Sequence, residues 1–374
     1  MKNLLMVADS DHDANMLYAV GMFVPDPFIF LRLRGKNMVV MSDLEIDRAK
    51  KQAPHCQAIS LSQCQQKLRR EGAKSIGPAR IIRSILRENR IDKICVPANF
   101  PYALALELRD LGIKVKPRPG DFFPEREEKS AAEVKKISAA LMMAEVGLAE
   151  AIQALKVAKV AKNRRLLYHN APLTSEKLRS IIDTAIIQAS GLPSHTIVAG
   201  GKQACDPHEQ GFGPLRANEP IIIDIFPRSQ KTGYFGDITR TVVKGRATEP
   251  VRKLYDTVLK GQEAAFKLMR PGVLASRVHQ AVQDIFIRAG YKTGKQKGRM
   301  QGFFHGTGHG LGLDIHEAPR TNSTSTAILK AGHVVTVEPG LYYPEIGGVR
   351  LEDVALVTSG NPRNLTQFEK VLEV

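Results

Sequence analysis

Two domains are predicted: a small α/β domain over residues 1–122, then a larger α+β domain over residues 123–374 built from two pseudo-symmetric halves. Three observations predict them. A Pro-rich, charged stretch from Pro117 to Glu128 separates two differently patterned regions. The second region reads helix, helix, strands and then helix, helix, strands again. Three of its strand-like runs carry an acid: Asp224 after Ile221-Ile222-Ile223, Glu338 after Val334-Val335-Thr336-Val337, and Glu352 inside Val349–Val357. Aliphatic runs of this kind belong to covered sheets, where an ionised carboxylate without a partner costs several kcal/mol or more.

In the first domain, Phe28 to Leu33 and Met38 to Met41 read as strands across a Gly35-Lys36-Asn37 turn, and Met1–Val7 as an edge strand. Ile82 to Arg90 and Ala103 to Leu111 have helical spacing, the second stopped by Gly112, and Ile94 to Val96 is a short strand ended by Pro97. No histidine–carboxylate constellation lies here, so a structural or assembly role is expected. In the second domain, Ser130 and Glu133 form a capping box ahead of a long helix running to Val157, with Leu141-Met142-Met143 as a core stripe. A second helix runs from Thr174 to a stop at Gly191. Strands are expected in 195–245 and 333–358, and helices over Pro250 to Met269 and Ala275 to Ala289.

Composition narrows the class. Hydrophobic residues make up 43% and charged residues 25%, so a large core can form. No uninterrupted apolar run approaches the roughly 18 residues of a membrane span, and Asp9, Asp11 and Asp13 are the wrong sequel for a secretory signal. Cys56, Cys64, Cys95 and Cys205 form no Cys-x-x-Cys pair, and a cytoplasmic, reducing location is expected. The net charge of +16 raises the question of nucleic acid. Lys and Arg are spread along the chain without a long basic block, so nucleic acid is not the expected partner.

The acids need a shared compensation. Asp224 and Asp237 can be brought side by side by two strands, and adjacent carboxylates repel unless they share a proton or a cation. Between the halves lies His305-Gly306-Thr307-Gly308-His309-Gly310-Leu311-Gly312-Leu313-Asp314-Ile315-His316-Glu317, three histidines among four glycines. Glycine lets backbone approach a ligand. Arg350 and Glu352, two apart on the final strand, face the same way. Four carboxylates and one imidazole suit two divalent ions such as manganese, cobalt, iron or zinc, and such a pair activates water for hydrolysis.

At these residues the chain resembles the Xaa-Pro aminopeptidase and prolidase family of the creatinase/methionine aminopeptidase "pita-bread" superfamily. The resemblance rests on Gly236–Thr241, His305–Glu317, Val337–Leu341 and Arg350–Asp353, with weaker likeness at Asn15–Gly21, Glu45–Ala49 and Lys129–Val134. It implies a pita-bread catalytic domain behind a creatinase-type N-terminal domain. It implies that Asp237 and Glu352 serve both metal ions, that Asp224 completes one, and that His309 and Glu338 complete the other. Glu338 would also deprotonate the attacking water, His208 contact substrate near the scissile amide, and His316 stabilise the oxyanion. His305 would line the proline pocket, Tyr342 touch substrate, and Arg350 and Thr239 support the ligands from behind. The implied activity is release of a residue ahead of proline, from peptides or from Xaa-Pro dipeptides, by a homodimer using manganese first among the metals named.

One departure is a longer turn between Asp224 and Asp237, carrying Ile225-Phe226-Pro227. The remaining histidines, His12, His55, His169, His195, His279 and His333, have no matching context and are expected on the surface or in the core. The alternative function is a non-catalytic protein of the same fold that binds RNA or protein partners through its basic surface. The complete ligand set argues against it, and equally against a metal-independent creatinase-like hydrolase. The extra first domain argues against methionine aminopeptidase.

Overall fold

A computed structural model describes residues 3–374. The chain divides into two compact units, one ending at Arg126 and the other beginning at Glu127.

The first unit is built on a six-stranded sheet in the order Cys56–Ser60, Lys36–Met41, Phe28–Leu33, Leu4–Ala8, Lys93–Val96, Lys114–Pro117. The predicted amino-terminal edge strand is therefore central, pairing antiparallel with Phe28–Leu33 and parallel with Lys93–Val96; Met1 and Lys2 lie outside the described residues. The uninterrupted apolar run is the physical reason, because a strand covered on both faces needs no polar alternation. Leu5 and Leu31 face a core with Ile82 and Leu86, while Leu4, Met6 and Phe30 face another with Met16 and Val20. The hairpin turn also differs from expectation. Leu33 pairs with Lys36, so the turn is Arg34-Gly35, with φ of 51° and 86°. Two positive values are what a two-residue hairpin matched to strand twist requires.

The second unit opens with the helix Ala131–Val157, whose capping box of Ser130 and Glu133 is complete in both directions. Leu141 of the predicted core stripe is buried, but Met142 is 64% exposed. By length and composition this helix could cross a bilayer. Its face of Ile137, Leu141, Ala144, Leu148, Ala151 and Leu155 is instead buried, much of it against Leu178, Ile182 and Ile186 of the helix Ser175–Gln188. In the second half, Glu249–Leu268 packs on Ala275–Arg288 around Val258, Val282 and Phe286.

The two helix pairs cross in the same way. A Cβ on Gly147 would come within 3.0 Å of Ile186 and 3.1 Å of Ile182, and one on Gly261 within 2.8 Å of Phe286 and 3.2 Å of Val282. Each crossing thus sets one glycine against two residues four apart on the partner helix. A mid-helix glycine costs about 1 kcal/mol relative to alanine, and here it lets the helix axes approach.

Each half also carries antiparallel strands. The first half has Ile197–Gly200, Ile221–Ile225 and Ile238–Val242, with Ile221–Ile225 in the middle. The second half has a five-stranded sheet in the order Glu317–Thr321, Gly308–Gly310, Val334–Val337, Asp353–Leu356, Arg363–Asn364. The run 349–357, read as one strand, is two. Gly347–Arg350 pairs with Gly340–Tyr343 in a separate ribbon, and Asp353–Leu356 joins the larger sheet. Leu351 and Glu352 form the kink between them, so Arg350 and Glu352 do not share a strand face.

Candidate metal centre

The first pair of acids is set by strand register. Asp224 pairs with Thr239 and Ile225 with Ile238. Asp237 lies two residues before Thr239, which turns it to the same face. The longer turn between them folds into structure of its own. Arg228–Ser229 pairs with Gly191–Leu192, Ser229 N–H donates to the Tyr234 carbonyl at 2.9 Å, and Gly236 N–H to the Pro227 carbonyl at 3.0 Å.

The second pair repeats the arrangement. Val337 pairs with Asp353 at the end of its ladder, and Glu338 and Glu352 lie just beyond that pair. Glu338 N–H donates to the Thr307 carbonyl at 2.7 Å, and Glu352 N–H to the Thr239 carbonyl at 3.0 Å, which joins the two halves.

The predicted glycine-rich loop is partly a strand. Gly308–Gly310 lies between Glu317–Thr321 and Val334–Val337. A Cβ on Gly308 would fall 1.8 Å from the Thr336 carbonyl oxygen, and one on Gly310 2.1 Å from that of Ala318. The glycines serve close strand packing rather than approach to a ligand. His309 is buried on this strand with Nδ1 3.1 Å from the Gly310 carbonyl. A carbonyl only accepts, so Nδ1 carries the proton and Nε2 keeps its lone pair. That Nε2 is 3.6 Å from Asp237 Oδ2 and 3.4 Å from Glu338 Oε1.

Ligand atoms of Asp237, His309 and Glu352 lie within 4.8 Å of one another. Asp224 Oδ1 and Glu352 Oε1 are buried with no hydrogen-bond partner among the described residues. Burial first, and then the neighbouring carboxylates, push Asp237 and Glu352 well above the usual carboxylate range. Burial raises Glu338 to about 7. Burial likewise pushes His309 down to about 3 and keeps it neutral, the form in which imidazole binds metal. Orphaned oxygens, mutually repelling acids and a neutral imidazole fit divalent cations.

The supporting residues are well tied. Arg350 Nη2 donates to Asp224 Oδ2 at 2.7 Å and its Nη1 to the Tyr342 hydroxyl at 3.0 Å, while Thr239 Oγ1 donates to Glu352 Oε2 at 2.8 Å. The expectation that Tyr342 touches substrate is not what the geometry shows. Tyr342 is fully buried and does not line the cavity; its hydroxyl lies 2.8 Å from His305 Nε2. It holds His305 and Arg350 from behind.

A cavity of about 770 Å³ opens over these groups. Its walls include His208, His305, His309, His316, Asp224, Asp237, Glu338, Arg350 and Glu352, a size and lining in the range of small-ligand sites. The His316 ring stands edge-on to His309, with centroids 4.5 Å apart. Burial, and after it the Arg320 charge, lowers the His316 pKa.

Several lining residues escaped the sequence reading. His195, expected on the surface or in the core, lines the cavity, with Nδ1 3.1 Å from Gln210 Nε2. The strand it precedes pairs Ile197 with Asp224. Arg320 lines it too, and is the cross-strand partner of His309, so both stand on one face. Phe226, Phe304, Ile315 and Asn322 are on the wall as well. Phe304 adjoins His305, Ile315 adjoins His316 and Phe226 lies in the longer turn, so of these four only Asn322 lacked a local signal. Asp353, next to Glu352, is fully buried and bound to Arg240 at 2.8 Å.

Residues 135–359 match the model of metallopeptidase family M24. The chain is 35% identical to an Xaa-Pro dipeptidase of Pyrococcus furiosus over 178 residues, 47% of this chain and 48% of the relative; the match thus spans about half the length of that curated relative. Among solved structures, an X-Pro aminopeptidase from Thermotoga maritima aligns with a TM-score of 0.83 at 19% identity, covering 100% of this chain and 98% of that one. A dipeptidase from Pyrococcus horikoshii aligns with a TM-score of 0.80 at 27% identity, covering 100% and 96%. The overall fold is the pita-bread fold behind an N-terminal domain.

Proposed function

This chain belongs to metallopeptidase family M24, and on that premise we propose that it hydrolyses the bond ahead of proline at the amino terminus of short peptides. The observation that carries the proposal is the cluster of Asp237, His309 and Glu352, with orphaned oxygens on Asp224 and Glu352, at a cavity bordered by His208, His305 and His316.

Asp224, Asp237, His309, Glu338 and Glu352 would hold two divalent ions, manganese first and cobalt, iron or zinc after it. Such a pair supplies activation of water and polarisation of the scissile carbonyl. Glu338, on the wall beside the other ligands, would also take a proton from the attacking water on a carboxylate oxygen and pass it to the leaving nitrogen. His316, kept neutral, offers an N–H to the developing oxyanion. His208 stands at the same wall for the scissile amide.

Both His305 nitrogens are engaged, Nδ1 with the Gly306 carbonyl at 2.7 Å and Nε2 with Tyr342. The ring therefore presents carbon surface, and Phe304 stands next to it on the wall. An apolar ring pair suits proline. The Arg320 guanidinium makes no hydrogen bond or ion pair among the described residues and faces the cavity beside His309. It would pair with the carboxylate of a dipeptide, which favours the dipeptidase form over a long-peptide aminopeptidase.

Chelation should abolish release of Xaa from Xaa-Pro, and manganese should restore it. Arg320→Gln should raise KM for Xaa-Pro dipeptides while sparing Xaa-Pro-Xaa tripeptides. Metal-replete protein that cleaves neither substrate would refute the proposal, and salt-sensitive RNA binding by such a protein would favour the binding-protein alternative. We also propose a reducing, cytoplasmic setting, supported by four free cysteines. A homodimer formed through the first unit is proposed as well, where Leu44 and Tyr102 are 83% and 76% exposed.

A further inference from the structure

Gln262 is a buried carboxamide in the middle of an otherwise apolar helix face. It is 1% exposed on Glu249–Leu268, between Val258 and Ala265, which are both fully buried. A carboxamide there costs free energy unless its hydrogens are bonded. Its Nε2 lies 3.0 Å from the Val337 carbonyl and 3.1 Å from the Leu351 carbonyl. The NH2 group has two hydrogens, one for each acceptor.

The identity of the two acceptors matters. The Val337 carbonyl shares a planar peptide with the Glu338 N–H, and the Leu351 carbonyl shares one with the Glu352 N–H. The far edges of the same two peptides are held by the Thr307 and Thr239 carbonyls, at 2.7 and 3.0 Å. Each plane is thus pinned on both sides, and one side chain pins the two to each other. Glu352 needs this, because it sits in the kink after Gly347–Arg350 and before Asp353–Leu356, outside any ladder. The first-half acids have no such need: Asp224 lies inside a strand, and Asp237 directly precedes one whose register is regular.

We infer that Gln262 is a positioning residue that sets the spacing of Glu338 and Glu352, and through it the divalent-metal affinity of the second half of the centre. The inference rests on the reading of these glutamates as metal ligands. Sites of this kind need their ligands held within about 0.5 Å, and loss of a group that orients ligands typically lowers metal affinity by about 10–100-fold.

The test is calorimetric titration of metal-free protein with manganese, well below the melting temperature of each variant. Gln262→Leu removes both donors. Gln262→Asn keeps a carboxamide one methylene shorter, which cannot reach both carbonyls, and it decides the matter if the leucine variant does not fold. Ala265→Gly, on the same helix but bonded to neither carbonyl, controls for loss of stability alone. The expected result is two ions bound by the unaltered protein, a roughly 10-fold or greater loss of affinity for at least one ion in the Gln262 variants, and unchanged affinity in the control. Folded Gln262 variants that bind both ions as tightly as the unaltered protein, and are merely less heat-stable, would overturn the inference. An unaltered protein that binds no manganese would instead overturn the metal reading beneath it.

Discussion

Glu352 and Asp353 are adjacent, equally buried and both acidic, yet they live in opposite electrostatic regions. Asp353 is satisfied on both oxygens. Oδ1 accepts from Arg240 Nη2 at 2.8 Å, and Oδ2 accepts from Asn364 at 3.1 Å and from Lys370. Arg240 is satisfied in turn by the Thr239 and Glu352 carbonyls at 3.0 and 2.6 Å and by the tail carbonyls of Phe368 and Glu369 at 2.6 and 3.0 Å. Glu352 has one oxygen on Thr239 and the other on nothing, and it faces Asp237, Asp224 and Glu338. Burial of charge alone therefore does not mark a functional centre. Unspent acceptor capacity among like charges does, since folding would not retain it without an ion to satisfy it.

Substitution of the two adjacent acids should have the largest and most opposed effects. Glu352→Gln should lower Xaa-Pro hydrolysis by at least about 10³-fold, roughly 4 kcal/mol of transition-state stabilisation. The same substitution should leave the metal-free protein as stable as before or more so, because it relieves repulsion. Asp353→Asn should do the reverse, destabilising the fold while metal affinity in the folded protein persists. Steady-state assays and urea melts in chelator read both. If both substitutions destabilise the metal-free protein alike, the two regions are not different in kind.

Removing the cation of the satisfied cluster comes next. Arg240→Met leaves Asp353 half-paired and frees the tail around Phe368 and Glu369, and it should cost about 3–5 kcal/mol in urea unfolding. A loss below about 1 kcal/mol would show that the cluster is not the structural anchor described.

His333 is a third kind of buried ionisable group, one that stays neutral. Burial, and then the Lys129 charge, push it down to about 4. Its value in the unfolded chain is near 6.5, so on acidification the unfolded chain takes the proton first. Its contribution is intact above pH about 6.5 and is lost as pH falls towards 4, by up to about 3 kcal/mol. His333→Gln should flatten the stability profile in that window alone, as read from melting temperatures at pH 7, 6, 5 and 4. An unchanged slope would contradict the assignment.

Much of the site was legible because its chemistry sits in short segments. Aliphatic runs carrying an acid identified Asp224, Glu338 and Glu352, since an unpaired carboxylate in a covered sheet is costly. Capping residues announced the helix Ala131–Val157. What stayed hidden depends on pairing. Arg320 faces the cavity because it registers against His309, and His195 because its strand lies beside Asp224; neither neighbour is near in sequence. The 349–357 run hid a kink, because both of its pieces are apolar and strand-forming, and only the switch between two sheets divides them. Leu4–Ala8 was misplaced at an edge because sheet order is a long-range property that a single strand does not carry.

On the proposed function, Asp224, Asp237, His309, Glu338 and Glu352 together hold two divalent ions. Anomalous diffraction from crystals soaked in manganese would locate them. Two peaks bounded by those carboxylates and His309 Nε2 are the expected result; a cavity free of anomalous density at saturating manganese, or peaks lodged elsewhere on the chain, would contradict it.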